Sequence, residues 1–296
     1  MTKEALSRAN IFPASRKAME NDSVFPWHKE AYKINSSQAL AIDLFGYIQV
    51  SENRDTILNE LVNKLNIQSE SPWEVKLEWS DPKNILNEDE RYPTQVDSVL
   101  QNKKSLFFCE CKFTEDNGGS CNQVKPFRSG PQKGLIQCNG RYKEQVNPYN
   151  AISSKCALSG KNIRYWEVID DLFERSIYGH KKCPFSGSWY QWMRNITICS
   201  EVALDQGLKP GFLLVFADDS EFSVAKKVRS QEWTEFLNHI KPGKIEVTAI
   251  SYQRILKIIT DLNLSDHEIW LDLEQWVLSK INLSSIILKN RKPRKP

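Results

Sequence analysis

The residues of this chain best placed to do chemistry are Asp97, Glu110 and Lys112. Glu110 and Lys112 interrupt SLFFCECKF (105–113), an otherwise apolar run, and charges in such a run are costly to bury unless they are paired or bind an ion. Two residues apart on a strand, they share one face, with Cys109, Cys111 and Phe113 on the other. Two carboxylates beside an amine suit a hard divalent cation, Mg2+ or Mn2+, with Asp97, Glu110 and the main-chain carbonyl of Cys111 as ligands. Such a cation acidifies a bound water and clamps the oxygens of a phosphodiester during in-line displacement. Lys112 would orient or help deprotonate that water and offset charge growing on the phosphorane.

This chemistry needs elements that bring the three side chains together. PTQVDSVL (93–100) reads as a strand leading into the one that carries Glu110 and Lys112. A two-residue turn at Asn102-Lys103 would pair Gln101 with Lys104 and set Asp97 opposite Phe108. Asp97 would then lie diagonal to Glu110 on the same face, with Cα atoms about 7–8 Å apart. A slip of one residue would send Asp97 to the other face. WEVKLEW (73–79) supplies a further strand by its alternation, and SSQALAIDLFGYI, capped by Ser36 and weakened at Gly46, a core helix before it. A second amphipathic helix covers 53–66.

Downstream, 163–174 and 187–207 read as helices, the second ended by Gly207 and Pro210. GFLLVFA (211–217) and KIEVTAIS (244–251) read as strands around a helical 220–240, and helices follow at 252–263 and 266–282. The fold class is α/β, with an αβββαβ core, a cysteine-containing insertion and C-terminal helices. Residues 1–35 are expected to form an irregular arm, 36–282 the domain with its insertion at about 114–160, and 283–296 a basic tail.

An Asp at the head of one strand, then Glu-x-Lys on the next, after an α-helix, resembles the PD-(D/E)XK nuclease superfamily, the restriction-endonuclease-like group. Pro93 stands four residues before Asp97 instead of adjacent to it. The resemblance implies an αβββαβ core over roughly 36–217, Asp97 and Glu110 as metal ligands and Lys112 as the catalytic lysine. It implies a Mg2+- or Mn2+-dependent nuclease that hydrolyses phosphodiester bonds, with DNA as partner. Members also place polar groups of the preceding helix and of a later helix near the metal. Gln38 and Asp43 are therefore accessory candidates, as are Glu78 on the first strand and Gln191 and Arg194 on the later helix, with Asn195 on the same polar edge.

Composition bounds the alternatives. With 296 residues, 40% of them apolar, and nine Trp, the chain can bury a large core. Its formal charge of +3 neither demands nor excludes nucleic acid. The start lacks an apolar secretory segment and no run is long enough to span a bilayer, so a cytoplasmic protein with reduced thiols is expected. Of seven cysteines, Cys109, Cys111 and Cys199 read as small core residues. Cys121, Cys138, Cys156 and Cys183 lie in loop-like sequence, where they could ligate zinc, hold an iron-sulfur cluster as in some relatives, or remain unconnected thiols. A non-catalytic nucleic-acid-binding or partner-docking module on the same fold is the competing function.

Overall fold

The computed structural model of the protein describes residues 2–20, 25–65, 67, 70–115, 119–131, 133–136, 138, 140, 156–174 and 183–290. The arm is more regular than its sequence suggests. It contains α1 (Lys3–Ala9), whose N-cap Thr2 accepts from the Ala5 N–H, and a 3-10 turn at Pro13–Met19. Tertiary bonds hold this arm, since Phe12 N–H donates to Asp43 and the Ser15 hydroxyl to the Asp43 carbonyl. No local period announces such contacts.

Ser36 caps the next helix by accepting from Ala39 N–H. α2 (Ser37–Ala41) passes through a π turn at Ile42–Gly46 into α3 (Tyr47–Val50), and α4 (Arg54–Lys64) follows. Then come β1 (Glu74–Ser80), β2 (Gln95–Gln101) and β3 (Ser105–Lys112). After the insertion, α5 (Ala157–Gly160), α6 (Tyr165–Leu172) and α7 (Tyr190–Asp205) lead to β4 (Lys209–Phe216). α8 (Ser223–Val228), α9 (Gln231–Asn238), β5 (Glu246–Ser251), α10 (Tyr252–Asp261) and α11 (His267–Asn290) complete the described chain. Among the described residues no helix is long and apolar enough to cross a membrane.

The strands form one sheet in the order β1-β2-β3-β4-β5. The β1–β2 and β2–β3 pairs are antiparallel and the β3–β4 and β4–β5 pairs parallel. This is the expected αβββαβ order, with β5 extending the parallel side. One face of β3, through Phe107, Cys109, Cys111 and Phe113, packs with helices that include α4, α10 and α11. The other, through Leu106 and Phe108, packs with α6, α7 and α9. Glu110 and Lys112 share the second face and meet α7.

Two boundaries differ from the sequence reading. The β2–β3 turn is wider than expected: Gln101 pairs with Leu106, and Asn102 N–H donates to Ser105 C=O. The Asn102 side chain, accepting from Lys104 N–H and Ser105 N–H, holds the longer turn. Pairing therefore shifts by two residues, and a shift of two preserves the face. α11, expected to stop at 282, continues to Asn290 because Ile281, Ser284 and Ser285 keep a buried stripe. Of the expected basic tail, residues 291–296 lie outside the described residues.

Glycine at position 211 is set by close packing. It pairs with Phe107 across β3 and β4, and a Cβ there would lie 2.3 Å from the Phe107 ring. Gly211→Ala is expected to lower the urea unfolding free energy by about 1–3 kcal/mol, the usual effect of overfilling a core. An unchanged midpoint and slope would mean the ring yields at no cost.

Candidate active site

The site forms where the sheet comes apart. The β2–β3 ladder runs from Gln101↔Leu106 to Ser98↔Cys109. Continued by one residue, it would set Asp97 opposite Glu110. Instead the Asp97 carboxylate fills the gap, accepting the Cys111 N–H at 2.7 Å. In a strand the N–H and C=O of one residue point to the same side, so the Cys111 carbonyl faces this gap as well.

β1 is distorted at the same level. Glu78 has φ +47°, and the ladder to β2 passes over it, from Leu77↔Ser98 to Trp79↔Val96. Leu77 and Trp79 consequently lie on opposite faces: Leu77 packs with residues of the N-terminal arm and α2, such as Ile11 and Ala39, whereas Trp79 meets Phe108 edge-on at 5.2 Å. A left-handed backbone at a non-glycine residue is strained, and such strain gathers at functional sites. The bend buries the Glu78 side chain to 1% exposure, and neither of its oxygens has a hydrogen-bond partner.

Three acids thus crowd one corner. Burial pushes the Asp97 carboxyl well above the ordinary range, and Glu110 and Glu78 push it further. Burial lifts Glu78 to about 8 against the pull of the Gln38 side chain, with Glu110 adding to the rise. The counter-charge is Lys112, whose Nζ lies 2.5 Å from Glu110 Oε1. Burial alone would lower the Lys112 pKa, but Glu110, Glu115 and Asp97 outweigh it and leave it raised. The amine is held firmly as ammonium.

α7 orients this pair. Lys112 donates to Gln191 Oε1 at 3.0 Å, and the Asn195 amide donates to Glu110 Oε2 at 2.6 Å, leaving Asn195 Oδ1 without a hydrogen-bond partner. Gln38 acts on the arm: its carbonyl accepts His28 N–H and its amide donates to Pro26 C=O. This fixes His28, whose Nε2 stands 3.7 Å from Glu78. Burial, and next Lys112, lower the His28 pKa from 6.5. A cavity of about 220 Å3, lined by His28, Lys33, Asn35, Ser36, Thr114 and Glu115, opens beside these groups.

One accessory candidate, Asp43, is not brought to the acids. Asp43 is fully buried on the π turn, bound to Lys280, Trp276 and Phe12 N–H. Arg194 lies over the Tyr190 ring at 5.6 Å, and against burial the charges of Tyr165, Tyr190, Glu88 and, more weakly, Glu110 raise its pKa. Sequence reasoning passed over His28 and Glu115, which have no spacing relation to the motif. A buried Glu-x-Lys strand gives the only local signal here.

The donor set fits a hard divalent cation. It offers carboxylate oxygens that repel one another, two of them orphaned on Glu78. As they stand, no three His, Cys, Asp or Glu side chains among the described residues are arranged to hold a metal ion. Lys112 supplies the balancing charge in this arrangement. Away from the acids, Cys121, Cys138, Cys156 and Cys183 are buried around a single small cavity.

Comparison with known proteins gives one family. A family model described as Restriction Endonuclease associating with ARP matches residues 3–275. No curated protein and no solved structure matches the chain.

Proposed function

The chain belongs to the family of restriction endonucleases associating with ARP, and from that premise we propose that it is a divalent-cation-dependent nuclease of the PD-(D/E)XK type, hydrolysing phosphodiester bonds of DNA in the cytoplasm. The observation that carries this reading is the crowding of Asp97, Glu110 and Glu78 at the opened end of β2 and β3, with Lys112 held as ammonium among them. Acids forced together in a buried corner raise each other's pKa, an arrangement typical of functional sites.

Asp97, Glu110, Glu78 and the Cys111 carbonyl would hold Mg2+ or Mn2+, which supplies Lewis acidity at the scissile phosphate and a more acidic water. The chain's own groups do the rest. Lys112, protonated, donates to a phosphate oxygen and offsets charge that grows on it in the transition state. Its raised pKa suits it to stabilise charge and keeps it protonated, with no free amine to take a proton. Gln191 and Asn195 keep the Lys112 and Glu110 tips in place, so little reorganisation is needed at the moment of reaction. His28, with its lowered pKa, is neutral at neutral pH and does not compete for the acids. Association with ARP, named in the family description, is part of this reading.

The purified full chain is expected to cut duplex DNA with Mg2+ or Mn2+ and to stop when EDTA is added. Salt-sensitive DNA binding without cleavage under any divalent cation would replace the hydrolase with a non-catalytic binding module.

A further inference from the structure

Four of the seven cysteines are arranged unlike the others. Cys109, Cys111 and Cys199 sit inside the sheet core, and Cys199 donates its S–H to the Leu106 and Gly211 carbonyls. Cys121, Cys138, Cys156 and Cys183 come from separate segments between β3 and α7, yet all four line one cavity of about 20 Å3. Its other walls include Leu158, Tyr165, Phe185 and Met193.

The four sulfurs also share a backbone setting. Gly140 N–H donates to Cys138 Sγ at 3.3 Å. Backbone groups of Gln123, of Leu158 and Ser159, and of Phe185 pull the thiol pKa of Cys121, Cys156 and Cys183 down against burial, as those of Gly211 and Phe108 do at Cys199. Three of the cysteines open a short helical turn in nearly one conformation, with φ/ψ of −64°/119°, −55°/126° and −53°/120°. A neutral thiol is a weak acceptor. One sulfur that receives an N–H bond, and three on a shared turn conformation, all around one cavity, make a setting suited to negative charge on sulfur, as in a metal-bound thiolate.

We propose that Cys121, Cys138, Cys156 and Cys183 form one tetrathiolate Zn2+ site that fastens the segment between β3 and α7 to the start of α7. Zinc in such sites takes four sulfurs tetrahedrally at about 2.3 Å. The cavity has room for about one water-sized body, which suits a single ion better than a larger cluster. The sulfurs line the cavity without yet meeting at one point, so binding contracts it around the ion. Each thiol gives its proton to solvent as its sulfur joins the metal, leaving a dianionic centre that the Gly140 N–H faces.

The site also bears on Gln191. Tyr190 and Met193 of α7 line the cavity, and Gly119, two residues before Cys121, approaches the Gln191 side chain. The proposal stands apart from the nuclease reading, and its readouts involve no cleavage.

The full chain, purified under reducing conditions from medium containing zinc and iron, is expected to carry about one zinc. Cobalt added to metal-stripped protein should give thiolate-to-cobalt charge-transfer bands with the intense visible bands of tetrahedral Co2+. Cys138→Ser and Cys183→Ser should each abolish the cobalt spectrum, whereas Cys199→Ser should keep it. The unmodified chain gives the spectrum by itself, so a variant that fails to fold does not remove the test. A weak octahedral cobalt spectrum would overturn the proposal, as would bound iron with sulfide. Four freely titrating thiols or two disulfides in the folded, purified chain would overturn it too.

Discussion

Lys112→Met is expected to slow Mg2+-dependent DNA cleavage by about a hundred- to ten-thousand-fold while leaving cation affinity unchanged or tighter. Lys112 is not a ligand in the proposed site. Its ammonium lies against Glu110, so removing it takes a like charge away from an incoming cation. Turnover and cation binding should therefore separate in this variant. Glu110→Gln behaves differently: it keeps the shape and the bond from Asn195, but cation binding and cleavage should fall together. Calorimetric titration with Mn2+, beside a plasmid-cleavage assay and circular dichroism, reads all three quantities. Lys112→Met with normal cleavage would remove the lysine from the mechanism. Loss of cation binding in that variant would show that its effect is structural.

The second large effect lies on the far side of the sheet. Lys280 Nζ donates to Asp43 at 2.6 Å and to the Asn10 carbonyl, and it stands 5.2 Å from the centre of the Trp276 ring. Asp43 also accepts from Phe12 N–H and Trp276 Nε1. Both charges are almost wholly buried, at 2% and 0% side-chain exposure. This knot ties the N-terminal arm, the π turn and α11 together. Lys280→Met strands the Asp43 carboxylate and should cost about 3–5 kcal/mol of stability at neutral pH. Adding Asp43→Asn should return much of that, because a neutral amide no longer needs the ammonium.

The pH dependence follows from the sign of the shift. Burial raises the Asp43 pKa, against the pull of Lys280; without Lys280 it rises further. A carboxyl with a raised folded pKa binds more protons folded than unfolded, so stability is lost as pH rises above the ordinary carboxylate range. The Lys280→Met deficit should accordingly shrink as pH falls toward that range. Urea unfolding across pH measures this. A deficit that does not vary with pH would mean that Asp43 is not the stranded group.

The strands show how far local pattern reaches. Alternation in WEVKLEW and the apolar run of SLFFCECKF place β1 and β3 within a residue or so of their observed spans. The two-residue spacing of Glu110 and Lys112 puts them on one face, as found. The expected hairpin is misplaced because the Asn102 side chain replaces a tight turn with a wider one. Asp97 nonetheless stays on the face of Glu110, because the error is an even number of residues. Asp43 shows the opposite case. An acid on the helix before the strands looked like a neighbour of the metal, yet the π turn aims it at Lys280, 237 residues further along.

By itself, then, the amino-acid order determined the strands and most helices between residues 36 and 282, the α/β class, and the face on which Glu110 and Lys112 stand, since periodicity is a property of neighbouring residues. Only the tertiary structure decided what meets that face. It bends β1 so that Glu78 is buried without a hydrogen bond, sets His28 beside it, and gathers four distant cysteines around one cavity. Those contacts join segments far apart in the chain, and their energy comes from packing and desolvation that no short window of residues encodes.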